Sequence, residues 1–89
     1  MKTRYMPSFV RDLRKMRDLP VYDRVKTFAF DKVPHAVDLR EIPNLAKIKK
    51  SLNAYRIRVG EYRIGILFED DTVVFMRVLH RRDLYRFFP

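Results

Sequence analysis

The 89-residue chain has no cysteine and no tryptophan, and only two histidines and two glycines. Without cysteine, neither a disulfide framework nor thiolate chemistry can hold or run the domain, and a reducing compartment is the natural setting. His35 and His80 stand in no ligand-spaced cluster, so no imidazole metal site is expected and no cofactor is assigned. Glu69, Asp70 and Asp71 could ligate Mg²⁺ through oxygen, but they lie between two strand-like runs and read as a hairpin loop. Long apolar runs are also missing. Nothing approaches the roughly 20 residues of a membrane span, and MKTRYMPSF lacks the apolar core of a signal peptide. The expectation is a soluble, cytoplasmic protein with no membrane partner. Acidic residues are few: 11 against 20 Lys plus Arg, a formal charge of +9 and a pI near 10.3. A domain that basic usually faces a polyanion or an acidic protein.

Enough apolar material is present to build a core, at 47% of the chain with 13% aromatic, and the length suits one domain over residues 1–89. Lys2 to Met6 reads as a first strand closed by Pro7. A helix follows, with Ser8 as a possible cap, Phe9, Leu13 and Met16 or Val10, Leu13 and Arg17 at helical spacing, and Pro20 stopping it near Leu19. A second amphipathic segment, from about Val21 to Phe30, completes a helical hairpin. Residues 31 to 53 stay open, because Pro34 and Pro43 interrupt them and NLAKIKKSLN fits a helical turn, a strand or an irregular connection. Beyond them, AYRIRV, YRIGILF and TVVFMRVL predict three consecutive antiparallel strands. The fold class is α+β: a small antiparallel sheet with the helical hairpin on one face and a short C-terminal helix.

Basic residues are concentrated on those strands. If Gly60 and Glu61 form a two-residue turn, Val59 faces Tyr62 and Arg58 faces Arg63. Arg56, Arg58 and Arg63 then share one face of the sheet while Tyr55, Ile57 and Ile64 bury the other. Opposed like charges destabilise a strand pair by up to about 1 kcal/mol, so this face favours an anion between them. Phosphate suits it, because the guanidinium fork matches phosphate oxygens in pairs. The alternative is that these side chains fan into water or pair with Glu61 and Glu69. The register of 62–68 against 72–79, and so the face taken by Arg77, stays open.

The stretch NLAKIKKSLNAYRIRVGEYRIGILFEDDTVVFMRVLHRRDLYRFF resembles the RelE branch of the RelE/ParE toxin superfamily. The family shares a leucine-lysine stretch, a YRIRVGDYRI-like hairpin, an acidic turn, a hydrophobic strand and an HRRDVYR-like end. The likeness is strong over about half the chain; the first 30 residues match only in pattern. It implies a toxin held inactive in a heteromeric complex by a cognate antitoxin, and a ribosome-dependent endoribonuclease that cuts mRNA in the ribosomal A site without a metal. By the same resemblance Arg63 matches the arginine at the scissile phosphate, Arg81 a second catalytic arginine at the leaving group, and Tyr85 the terminal tyrosine that stacks on or orients the nucleotide.

Arg56 and Arg58 stand where some relatives carry lysine, a candidate general base, and a guanidinium cannot serve as one because it stays protonated. Metal-free RNA cleavage needs a base for the 2′-OH, positive charge for the phosphorane and help for the leaving 5′-oxygen. Arg56, Arg58, Arg63 and Arg81 can supply charge. His80, next to Arg81, is the expected base, with Tyr85 and Glu61 as alternatives. Lys47, Lys49, Lys50 and Arg82 join Arg56 and Arg58 as expected RNA contacts. Two other readings stand beside the nuclease: a ParE-like inhibitor of DNA gyrase, and a basic RNA- or antitoxin-binding module without chemistry.

Overall fold

The computed structural model describes residues 1–89. In chain order the elements are β1 (Lys2–Tyr5), α1 (Pro7–Lys15), α2 (Tyr22–Thr27), a π-type turn over Phe28–Lys32, α3 (Val33–His35), a 3₁₀ turn at Leu39–Glu41, β2 (Leu45–Lys47), β3 (Ala54–Val59), β4 (Tyr62–Glu69), β5 (Thr72–His80) and α4 (Leu84–Phe87). The strands form one sheet in the order β1-β5-β4-β3-β2. Strands β2 to β5 run antiparallel, as the alternation of AYRIRV and its neighbours predicts. The expected all-antiparallel sheet is corrected at one edge, where β1 lies parallel to β5. Four residues of extended chain carry no partner information of their own, and the direction of β1 is decided by the helices that follow it.

Within the N-terminal half, three expectations change. Helix α1 ends at Lys15 and not near Leu19, because Met16, Arg17 and Leu19 already donate to carbonyls three residues back. Ser8 does not cap it; its hydroxyl donates 2.6 Å to the carbonyl of Met76 and ties α1 to β5. The second helical stretch continues past Phe30 to His35, with the Val33 N–H bonded five residues back to Phe28. That widened turn brings in Pro34 without breaking the helix. The open 31–53 region resolves into a 3₁₀ turn, the edge strand β2 paired with β3, and a tight loop.

Phe9, Leu13 and Met16 from the first helical stretch and Val25, Phe28, Ala29 and Val33 from the second meet Ile57, Val59, Ile64, Ile66, Val73, Phe75 and Val78 of the sheet in one buried cluster. Burying each large side chain contributes about 1.5–3 kcal/mol, so this face carries most of the stability. The other face is only partly covered, by a small cluster of Ala54, Leu84 and Phe88 with Ile48, Leu67 and Met76 against it. Arg77 pairs with Gly65, in line with Arg56. Its Nε and Nη2 donate 2.6 and 3.1 Å to the buried carboxylate of Asp12, which also accepts from the Val78 N–H at 3.1 Å. The hydrogen bond to Asp12 raises the pKa of Arg77 above its ordinary value. No helix is long and apolar enough to cross a membrane.

Candidate functional site

Alternation along β3 sends Arg56 and Arg58 away from the core, and the Gly60–Glu61 turn returns Arg63 beside them. Gly60 makes the turn possible by adopting a φ of 60°, which costs a residue without Cβ little. The register is the one read from the sequence: Arg58 opposite Arg63, Val59 opposite Tyr62, Ile57 opposite Ile64. Arg63 folds back over the turn, its Nη1 donating 2.9 Å to the Gly60 carbonyl and 3.0 Å to that of Tyr62. Burial first, then the neighbouring Arg56 and Arg58, lower its pKa; Arg81 acts in the same direction and Tyr85 against it. Arg63 is thus the centre of a crowd of like charge, and no acidic side chain pairs with it or with Arg58.

Arg81 enters from the end of β5. Its backbone N–H donates 2.8 Å to the Glu61 carbonyl, and its Nε lies 2.7 Å from Glu61 Oε2. The two bonds lock the strand end to the turn and bring Arg81 to Arg58 and Arg63. An open basin of about 540 Å³ results, lined by Arg24, Asn44, Arg58, Gly60, Glu61, Arg63 and Arg81. Beside it lies a second recess of about 390 Å³, lined by Ala46, Lys47, Ile48, Lys49, Arg56 and Tyr85. The Arg56 guanidinium is held at its rim by a 3.1 Å bond to the Asn44 carbonyl. Tyr85 reaches the recess from α4, which Leu84 and Phe88 pin to the sheet, and remains 60% exposed. A ring so placed can receive a base by stacking.

A family model described as "ParE toxin of type II toxin-antitoxin system, parDE" matches residues 3–85. The chain is 39% identical over 90 residues to Toxin RelE3 of Methanocaldococcus jannaschii, covering 100% of both chains. It belongs to the RelE/ParE toxins. A solved RelB-RelE antitoxin-toxin complex from Methanococcus jannaschii contains a chain that the toxin resembles at 36% identity and a TM-score of 0.73, over 97% of this chain and 99% of that one. The toxin-antitoxin complex RelBE2 from Mycobacterium tuberculosis gives 31% identity and a TM-score of 0.65, over 90% and 96%. The protein is therefore a toxin of a type II toxin–antitoxin system, of RelE type.

Not every expected residue of the toxin joins the arginines. His80 pairs with Tyr62, on the face that carries Val59 and Ile64, and its ring stands edge-on to Tyr62 at 5.5 Å. It opens into a separate recess with Asp12, Lys15, Met16, Leu19 and Asp83. His80 is expected as the base because it adjoins Arg81 in sequence; the pleat, which turns neighbours in a strand to opposite sides, puts it on the face opposite Arg63 and Arg58. Its Nδ1 accepts from the Arg82 N–H at 3.2 Å, a turn-closing role. Arg82 is exposed and lines neither basic recess; Lys50 is exposed too, in the loop after β2 with a φ of 66°. Sequence reasoning missed Arg24 and Asn44. Arg24 is one of several cations on a solvated helix, and nothing in its spacing points to a turn more than thirty residues away.

Proposed function

We propose that this toxin is a metal-independent endoribonuclease that acts on the ribosome, cutting messenger RNA in the A site, and that a cognate antitoxin silences it in a heteromeric complex. The observation that carries the reading is the cluster of guanidiniums with no carboxylate on Arg58 or Arg63. A stable fold does not gain from setting Arg58 against Arg63; a phosphorane does, because it arrives with the negative charge the cluster lacks.

In this scheme the scissile phosphate sits between Arg58 and Arg63, and Arg81 supports the leaving 5′-oxygen. The 2′-oxygen attacks phosphorus as its proton passes to Glu61, the bond from phosphorus to the 5′-oxygen breaks to leave a 2′,3′-cyclic phosphate, and the 5′-oxygen takes a proton from water and leaves as a hydroxyl. Glu61 is the only carboxylate lining the basin, so it takes the role of proton acceptor for the 2′-OH, with Arg81 as its orienting partner. Tyr85 stacks on a neighbouring base. The relatives solved as antitoxin–toxin complexes support the antitoxin partner, and a charge of +9 suits an acidic one.

Arg63→Ala removes one phosphate donor from a site outside the core, so cleavage on programmed ribosomes should fall on the order of 10²–10³-fold while the protein melts as a folded domain. Glu61→Gln should lower the single-turnover rate with ribosome binding kept. Mapping transcripts after induction separates the readings: codon-positioned cuts in translated messages mark the nuclease, DNA damage without cuts marks a gyrase poison, and neither marks a binding module. Unchanged toxicity of Arg63→Ala at matched expression sinks the assigned site.

A further inference from the structure

The arginine basin does not end at the sheet. Arg24 comes from α2, in the helical layer, and passes beside the turn, where its Nη1 would lie 3.6 Å from a Cβ on Gly60. It makes no ion pair. Arg24 and Asn44 form the shared wall between the basin and another recess of about 320 Å³, lined also by Asp23, Thr27, Phe28, Lys32 and Pro43. Lys32 is steadied over the Phe28 ring, its Nζ 4.7 Å from the centroid. Asn44 is fixed by its backbone: its φ is 64°, and its carbonyl accepts from both the Arg58 N–H and the Arg56 Nη1 at 3.1 Å. No protein group hydrogen-bonds its side-chain amide, and the residue lines both recesses. Asp23 is the one acid here, against two cations.

We propose that Arg24, Asn44 and Lys32 form a second phosphate subsite, which holds the RNA phosphate next to the scissile one. The proposal rests on the nuclease reading and extends it from one phosphate to two. A single-stranded backbone repeats its charge at every nucleotide, so a chain that fills the basin must carry a further phosphate across one of its walls. The Arg24 wall offers a guanidinium fork, an amide donor and an ammonium along one continuous path. An acidic peptide would have no comparable need for a donor set joined to the basin.

The test uses a 2′-O-methyl RNA 12-mer, which cannot be cleaved, with binding to the intact toxin followed by fluorescence anisotropy at several salt concentrations. Each lost phosphate contact on a single strand should make the plot of log affinity against log salt shallower by about 0.7, or about fivefold in affinity at 0.1 M salt. The double variant Arg24→Gln/Lys32→Gln should show that loss in full and each single variant a part of it, whereas Arg24→Lys should keep the parent slope. Asn44→Gly, which suits the positive φ, should weaken binding without changing the slope. An Arg24→Gln protein with the parent's slope and affinity overturns the subsite, and so does an Arg24→Gln effect confined to antitoxin binding. The nuclease reading fails separately, when the parent toxin leaves ribosome-bound messages intact.

Discussion

Gly65 is the position where the fold and the site depend on one missing methyl group. An alanine there would place Cβ 2.6 Å from Phe88 Cδ2 and 2.9 Å from both Cγ and Cε2, whereas carbon atoms pack at about 3.5–4.0 Å. The ring must therefore move by about 1 Å. Two effects oppose each other. Restricting the unfolded chain favours Gly65→Ala by about 0.4–1 kcal/mol, and overpacking a filled contact costs about 1–3 kcal/mol. The clash wins. The main core lies on the other face and is untouched, so the strain falls on Phe88 and on α4. Burial of Leu84 and Phe88 contributes about 3–6 kcal/mol to docking α4, while ordering each of its residues costs about 1–2 kcal/mol. These terms are of the same order, so a clash of about 1–3 kcal/mol shifts the docked population by about 5- to 150-fold.

Tyr85 travels with α4. The Gly65→Ala toxin should keep its cooperative melt, lose amide-exchange protection over residues 84–88, and cleave on ribosomes no better than Tyr85→Ala. Adding Phe88→Leu, which shortens the offending side chain, should restore protection and most of the activity. Full activity with α4 protected as in the parent would refute the reasoning, since it would mean that the sheet yields and Phe88 does not.

The remaining expectations concern charge. Asp12→Ala leaves the Arg77 guanidinium and the Val78 N–H without their acceptor; because Arg77 keeps some solvent access, the cost should be about 2–3 kcal/mol in denaturant unfolding, below that of a fully buried pair. Arg58→Gln removes a like charge facing Arg63 and should stabilise the free protein by up to about 1 kcal/mol in low salt, seen as a Tm rise of a few degrees that fades as salt is added. The same substitution should weaken ribosome binding.

Legibility followed the range of the interaction that decides each element. The β3–β4 hairpin was readable because a two-residue turn and strict alternation leave one register, and that register set Arg58 against Arg63 and buried Ile57 with Ile64. The short strands were not. β2 is three residues long and exists because β3 offers it an edge, while β1 takes its parallel place through helices that reach β5. Ser8 looked like a cap from its local sequence, yet a carbonyl in β5 is its partner. In the site, Arg63 and Arg81 carried motifs of their own. Glu61 read as a turn residue because its partner, Arg81, lies twenty positions on, and Arg24 was hidden for the same reason.

The arginines divide by what they meet, and that division separates structure from function more sharply than position in the sequence does. Arg77 is bidentate on a buried carboxylate and its proton is held more tightly for it; losing Asp12 would be felt as instability. Arg63 is in the opposite state. Its own burial and its neighbours make the charged form less favourable, and it has only backbone carbonyls for company. Under the proposed function, a phosphate bound in the basin would reverse that imbalance, and its binding energy would include the relief of repulsion already built into the hairpin. Glu61 supplies the intermediate case: it neutralises Arg81 alone, ties the strand end to the turn, and leaves Arg58 and Arg63 uncompensated. The basin is therefore held together by one ion pair and kept ready for an anion by the charges that this pair does not cancel.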